Sequence, residues 1–345
     1  MENSMSRILI ETIIKRTLRN IKDNPERGIR NLIDMALQFS EGRFQKDFFT
    51  AAQTMLQNEN SAYYDLVRDV VNRTDSDRLL TFGMNLGYNG CTMGAQRIRD
   101  NEKKFHCNIP WEVTLLIDEE HFENNKQKYH AFIQDGEFLG IYVWMLFPVC
   151  HPEKILSLAE KHPDSAFCIF CRTEDITGLF LDEVSMLHNV MVVVRYEENS
   201  SAIFDLLRKK GLLYSAWYPY GQKDTDSIIN GDLFSSIAQL TPAFTVLLPE
   251  KNCPEVIRKL IYKTVKQARS EQLYRTLIWE FQGDNNLVDV IISDDACSVY
   301  FDKNGNLYTL DQKIKSPCHN LFQNTLSDIL INCCHKKTAK AVYVQ

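Results

Sequence analysis

The stretch IPWEVTLLIDEEHFENNKQKY, residues 109–129, sets an apolar run ahead of an amphipathic one, with Asp118 and Glu119 in the turn between them. This predicts a buried strand feeding a helix, and the turn after such a strand is where α/β enzymes commonly place their chemistry. The other predicted strand ends add Phe147, Cys150 and His151, then Arg172, then Arg195 and Tyr196, then Tyr218 and Tyr220. Acids, arginines, a histidine and tyrosines would thus collect at one mouth. His151 could act as a base, with Arg172 clamping a carboxylate or phosphate. Alternatively, Arg172 and Arg195 pair with Asp118 and Glu119 and plug the mouth. Pairing is the preferred expectation, a ligand-binding mouth the second. No serine or cysteine nucleophile has an identifiable base at motif spacing.

Such a mouth needs a parallel sheet, and the chain from Trp111 onward predicts one. Apolar, β-rich runs (WEVTLLI, LGIYVWML, AFCIFCR, VMVVVRY, LLYSAWY, FTVLLPE) alternate with helical ones. Strands this continuously apolar are buried on both faces, and alternation with helices means βαβ units. CPEVIRKLIYKTVKQARSEQLYRTLI reads as a long helix running into a further strand. VDVIIS, CSVYF and NLYTL read as short strands, with a DKNG hairpin between the last two, and LFQNTLSDILINCC as a closing helix. Residues 1–105 read as helical throughout, with Asn24 as an N-cap and Pro25 at the first helical position. Gly83, Gly87, Gly90 and Gly94 interrupt the pattern at about 1 kcal/mol each in a helix interior. They predict close helix packing or a bend. A phosphate loop is the other reading, but no strand precedes them.

The chain has 345 residues, a net charge of −6, 44% hydrophobic and 24% charged residues, the profile of an ordinary globular protein. Nothing in that balance draws it to nucleic acid or to a membrane surface. The basic residues of the first thirty (Lys15, Arg16, Arg19, Lys22, Arg27, Arg30) are interspersed with acids and read as a solvated helix face. No window has the roughly 18 apolar residues of a membrane helix, and no signal peptide is evident, so a cytoplasmic location is expected. The ten cysteines are then expected as thiols. Cys168 and Cys171 form a CxxC within a strand, where alternation puts them on opposite faces. Cys333, Cys334 and His335 are weak metal candidates, because no second ligand pair lies at zinc-finger spacing.

Several pieces fall in a suggestive order: HCNIPW before the first strand, GEFLGIYVWMLFPVCHPEKILSLAEKHPDSAFCIFCRTEDIT across the second and third, AWYPYG later, then FDKNGNLYTL and NTLSDIL. Over nearly its whole length the chain resembles a clostridial-type branch of the radical S-adenosylmethionine (SAM) proteins with a C-terminal SPASM-like region. The resemblance implies an incomplete parallel TIM-like (β/α) barrel of five to six strands, an all-α N-terminal region and a small antiparallel tail with a helix. It divides the chain into 1–105, helical; 106–282, barrel; and 283–345, a SPASM-like remnant. It also places Cys107 in a structural lead-in segment.

In that family a CxxxCxxC loop after the first strand supplies thiolates to a four-iron cluster, leaving one iron open to SAM. Here IDEEHFENNKQKYHAF has no cysteine, and FPVCHP stands where a glycine-rich SAM motif is expected. The cysteine expected after DKNG falls near Leu310, and relative to that family one strand–helix unit is missing around 197–201. These departures lead to three expectations. The protein is a degenerate pseudoenzyme, not an enzyme. It holds neither iron–sulfur cluster nor SAM. It acts as a partner or regulator of an active radical SAM paralogue, with no nucleic-acid or membrane partner. The alternative is small-molecule or peptide binding at the barrel mouth; a weaker one is an enzyme with non-standard cofactor binding.

Overall fold

The structure, a computed structural model, describes residues 2–38, 50, 52–149, 151–293, 295–309 and 319–335. Helices α1 (Glu2–Asp23) and α2 (Pro25–Gln38) meet at Asn24, whose side-chain oxygen accepts from the Arg27 N–H at 3.0 Å, as a cap does. They pack with α3 (Ala62–Arg73) around Ile21, Ile29, Tyr64 and Val71. Helix α4 (Ser76–Gly83) runs through a π-helical stretch, Met84–Gly94, into α5 (Ala95–Phe105).

Gly87, Gly90 and Gly94 therefore lie in a widened helix, Gly83 ends the α-helix that leads into it, and the four form no phosphate loop. Gly94 is needed there, because a Cβ would collide with the Gly140 carbonyl oxygen. The same stretch turns Asn85 and Asn89 inward. Asn85 donates to the Pro163 and Ser165 carbonyls at 2.7 and 3.0 Å, and Asn89 to that of Asp164 at 2.7 Å. These bonds fasten the helical region to the base of the sheet. Among the described residues no helix is long and apolar enough to cross a membrane.

The first strand, β1 (Glu112–Ile117), starts where the apolar pattern changes period. After it come α6 (Glu119–Leu139), β2 (Val143–Pro148), α7 (Ser157–Lys161), β3 (Ala166–Cys171), α8 (Gly178–Val184), β4 (Val190–Arg195), α9 (Ser201–Lys209) and β5 (Tyr214–Tyr220). Then follow α10 (Thr225–Ile229), α11 (Asp232–Ala238), β6 (Phe244–Pro249), α12 (Glu255–Glu271), β7 (Leu277–Glu280), α13 (Phe281–Ser293), β8 (Val299–Phe301), β9 (Leu307–Thr309) and α14 (Leu326–Cys333). The sheet order is β7-β6-β5-β4-β3-β2-β1-β8-β9, parallel throughout except for the β8–β9 pair. It is a curled, incomplete TIM-like barrel, the expected fold class. Nine strands take part, because β7 joins one edge and β8 continues the sheet past β1.

Residues 288–293, VDVIIS, are not a strand. They belong to α13, although their β-branched residues favour extended backbone. Tertiary partners decide the matter. The Asn285 amide donates to Glu112 on β1 at 3.2 Å, and its oxygen accepts from the Trp279 ring on β7 at 3.1 Å. One turn further on, Asp289 accepts from the Trp111 and Cys297 N–H groups at 2.9 and 3.2 Å. Residues four apart share one helix face, so a helix brings both side chains to the gap between β7 and β1. The DKNG turn is a hairpin as expected: Asp302 accepts from the Asn304 and Asn306 N–H groups at 3.0 and 2.9 Å, and Gly305 takes φ +74°.

Candidate functional site

Strand alternation and register fix which side chains face the hollow of the sheet. Met145 pairs with Cys168 and Cys168 with Met191, so these three share the hollow face and fill it. Cys171 falls on the other face, as expected, and both cysteines are buried. At the carboxyl ends of the strands the filling becomes aromatic. Phe147 and Phe170 stack with centroids 4.2 Å apart. Phe281, at the start of α13, meets both edge-on at 6.0 and 5.8 Å. Trp217 lies edge-on to Phe170 at 6.4 Å, held by its ring N–H donating to the Cys171 carbonyl at 3.0 Å. Phe170 is buried, whereas Phe147, Trp217 and Phe281 keep part of their surface exposed. Interior rings thus become a shelf at the mouth.

The charged rim differs from the plug expected of it. Arg172 does not reach Asp118 or Glu119. It is 57% exposed, and its guanidinium bonds Asp175 at 3.0 and 3.2 Å and Glu174 at 3.1 Å. Arg195, 39% exposed, pairs with Glu197 at 3.5 Å and lies over the Trp217 ring, 5.6 Å from its centroid. Glu197 also accepts from the Thr173 hydroxyl at 3.2 Å. Each arginine found a carboxylate two or three residues along its own chain, which costs less ordering than a partner on a distant strand end.

Asp118 instead caps α6, accepting from the His121 backbone N–H at 2.8 Å and facing its ring Nδ1 at 2.8 Å, with Lys303 at 3.8 Å. Partial burial alone would raise its carboxyl. The His121 N–H groups and Lys303 outweigh that and hold it below the usual range. Glu119 pairs with Lys154 at 3.6 Å across the β1 and β2 ends. His151 is exposed, and Cys150 lies outside the described residues.

The two tyrosines part company with the mouth. Tyr220 is buried on the helix-facing side of β5, its hydroxyl donating to Glu280 at 2.9 Å. Tyr218 donates to Asp224 at 2.9 Å; burial and that carboxylate push its hydroxyl up to about 12. Alternation in YSAWYPY gives the hollow face to Trp217, whose partner across β4 is Arg195. Sequence reasoning missed Trp217, and the period-two pattern counted from buried Tyr214 was the signal that could have found it.

Because Arg172 and Arg195 are exposed and locally paired, their replacement is expected to matter little to folding. Arg195→Met should change unfolding free energy by no more than about 0.5 kcal/mol. Arg172→Met should cost about 1 kcal/mol, because it deprives buried Asp175 of a partner. Urea titration of both variants checks this.

Burial pushes the Cys168 thiol up to about 12. Cys334 is buried, Cys333 partly so, and His335 bridges through its backbone to Cys107. Among the described residues no three His, Cys, Asp or Glu side chains converge to hold a metal ion.

No family model matches the chain, and no curated protein matches it. Solved structures do. Streptococcus suis SuiB bound to S-adenosylmethionine is similar at a TM-score of 0.49 and 10% identity, over 70% of this chain and 68% of that one. Another SuiB structure has a TM-score of 0.48 and 10% identity, over 87% and 78%. SuiB bound to precursor peptide SuiA has a TM-score of 0.47 and 10% identity, over 70% and 69%. The likeness is to a radical SAM enzyme and concerns the fold alone. Two expectations are corrected by it: that the chain is not an enzyme, and that it holds neither SAM nor cluster. A similar chain is an enzyme and is seen with SAM bound, and both expectations are withdrawn.

Proposed function

We propose that the chain binds a peptide at the mouth of its open barrel, seating an apolar or aromatic side chain of that peptide on Phe147, Trp217 and Phe281. One observation carries this reading: three large rings, at the ends of strands whose interior is otherwise filled, keep part of their surface in water. Exposed aromatic area on a rigid support is what interface hot spots are made of, because its burial releases water at little cost in side-chain entropy. Trp217 is already fixed through its N–H, and Phe147 and Phe281 by mutual packing.

The extent of the shelf favours a peptide. From β2 to β5 it crosses three strand spacings, about 14 Å at roughly 4.8 Å each, the length of about four extended residues. The rim offers both signs of charge to the polar groups of a bound chain, with Arg172 and Arg195 against Glu119 and Glu197.

Selection of a random linear-peptide library on the full chain, followed by anisotropy titration of the enriched peptide, tests the reading. Trp217→Ala should weaken binding at least tenfold and Arg195→Gln severalfold, while Lys209→Gln, at an exposed position on α9, leaves it unchanged. Failure to enrich any peptide, or equal affinity for Trp217→Ala and wild type, would contradict it.

A further inference from the structure

A second concave feature lies away from the barrel mouth, between α1 and the α3–α4 corner. It is a cavity of about 250 Å³. Its floor is apolar, built from Leu18, Val71 and Leu79. Lys15, Arg19 and Lys22 overhang it from α1. They stand at i, i+4 and i+7, so they share one helix face and span about 10 Å at 1.5 Å per residue. Against them the cavity wall carries one carboxylate, Asp77.

Among the described residues only one of the three cations has a carboxylate partner. Lys15 has a surface pairing with Glu11 at 3.2 Å, a bond worth little in water. Arg19 and Lys22 have no carboxylate partner among the described residues. Solvated lysines on an open helix face would need no explanation. Here, however, they rim a concavity with an apolar base, and like charges at i and i+4 or i+3 repel. An anionic ligand would relieve that repulsion, and the low-dielectric floor would strengthen its attraction.

We infer that this cavity is a binding site for a small phosphate-bearing molecule with more than one anionic group, its charged chain along Lys15, Arg19 and Lys22 and its organic part on Leu18, Val71 and Leu79. Two anionic groups or more are required, because the cations are spread along about two helical turns. Arginine and lysine are the residues that bind phosphate oxygens through charge-assisted hydrogen bonds.

Calorimetric titration of the full chain with inorganic pyrophosphate and with ADP, at low and at moderate salt, tests the site. Saturable one-to-one binding is expected, tighter for ADP, whose organic part reaches the floor, and weakened by salt. Arg19→Gln combined with Lys22→Gln should weaken it more than tenfold, and Asp77→Asn should tighten it severalfold. All three positions are at the surface, and unchanged melting temperatures would confirm intact folds. Absence of saturable heat with both probes, or an affinity that the double variant leaves unaltered, overturns the inference. Binding of pyrophosphate and ADP with equal affinity would overturn the role given to the apolar floor.

Discussion

Replacing Arg269 by methionine is expected to cost about 3–5 kcal/mol of stability, the penalty for stranding a buried charge. Arg269 projects from α12 and meets Asp284 of α13 with two parallel bonds, at 2.7 and 2.8 Å. The Asp284 side chain is only 2% exposed and also accepts from the Glu280 N–H at 2.7 Å. Without the guanidinium this carboxylate would keep the Glu280 N–H and the Tyr262 hydroxyl as donors but no compensating charge. The damage would fall at the start of α13, the helix that closes the gap between β7 and β1. Arg269→Met/Asp284→Leu should recover much of the loss, since a shape-matched apolar pair often equals a buried ion pair. Urea unfolding of the single and double variants measures this. A single variant within about 0.5 kcal/mol of wild type, the range of surface positions, would show that the pair does not anchor α13.

Glu112→Gln is expected to do the reverse and stabilise the protein, increasingly so as pH rises. Glu112 is 3% exposed at the start of β1, held by the Asn285 amide at 3.2 Å and the Thr114 hydroxyl at 3.1 Å. Burial, followed by the nearby Asp289 charge, pushes its carboxyl up from 4.5 to about 8. Asp289 is itself raised to about 7 by burial, although backbone N–H groups and Ser298 draw it down. The sign follows directly. Between 4.5 and about 8 the folded protein keeps a proton that the unfolded chain has released, so stability falls as pH rises through that window. Below it the contribution is fully present; above about 8 it is lost. At 1.36 kcal/mol per pKa unit, the whole loss is on the order of 5 kcal/mol. Glutamine can keep the bonds to Asn285 and Thr114 and carries no charge to bury. The stability difference between variant and wild type should therefore be small at pH 4.5 and reach roughly 2–5 kcal/mol at pH 8. Parallel denaturation at the two pH values reads it out, and a difference that does not grow with pH would contradict the buried-carboxyl account.

These two sites also mark where the sequence was readable. Strands β1 to β6 were legible because runs such as VMVVVR are apolar on both faces, a pattern that a doubly covered strand alone requires. Asp118 was legible as a position at the end of β1, but not as the cap of α6 that its bonds to His121 make it. The helical state of α13 was hidden, because VDVIIS has strand composition. It is the distant Glu112, Trp111 and Cys297 that hold it helical. The rim pairs were hidden for a similar reason. Spacing brings Arg172 and Arg195 to the mouth but does not say which acid each takes, and Asp175 and Glu197 are nearer along the chain than Asp118. Trp217 was overlooked beside Tyr218 and Tyr220, although the strand period separates the hollow-facing ring from the two that face away from the hollow.

The claim that the barrel mouth is a peptide-binding surface is tested most directly by hydroxyl-radical footprinting of the full chain, alone and saturated with a selected peptide. Oxidation is read residue by residue. Bound peptide should protect Phe147, Trp217 and Phe281 severalfold, and leave Tyr300, exposed on β8, reacting as before. Unchanged oxidation of those three rings under saturating peptide, with protection elsewhere on the surface, would contradict the account.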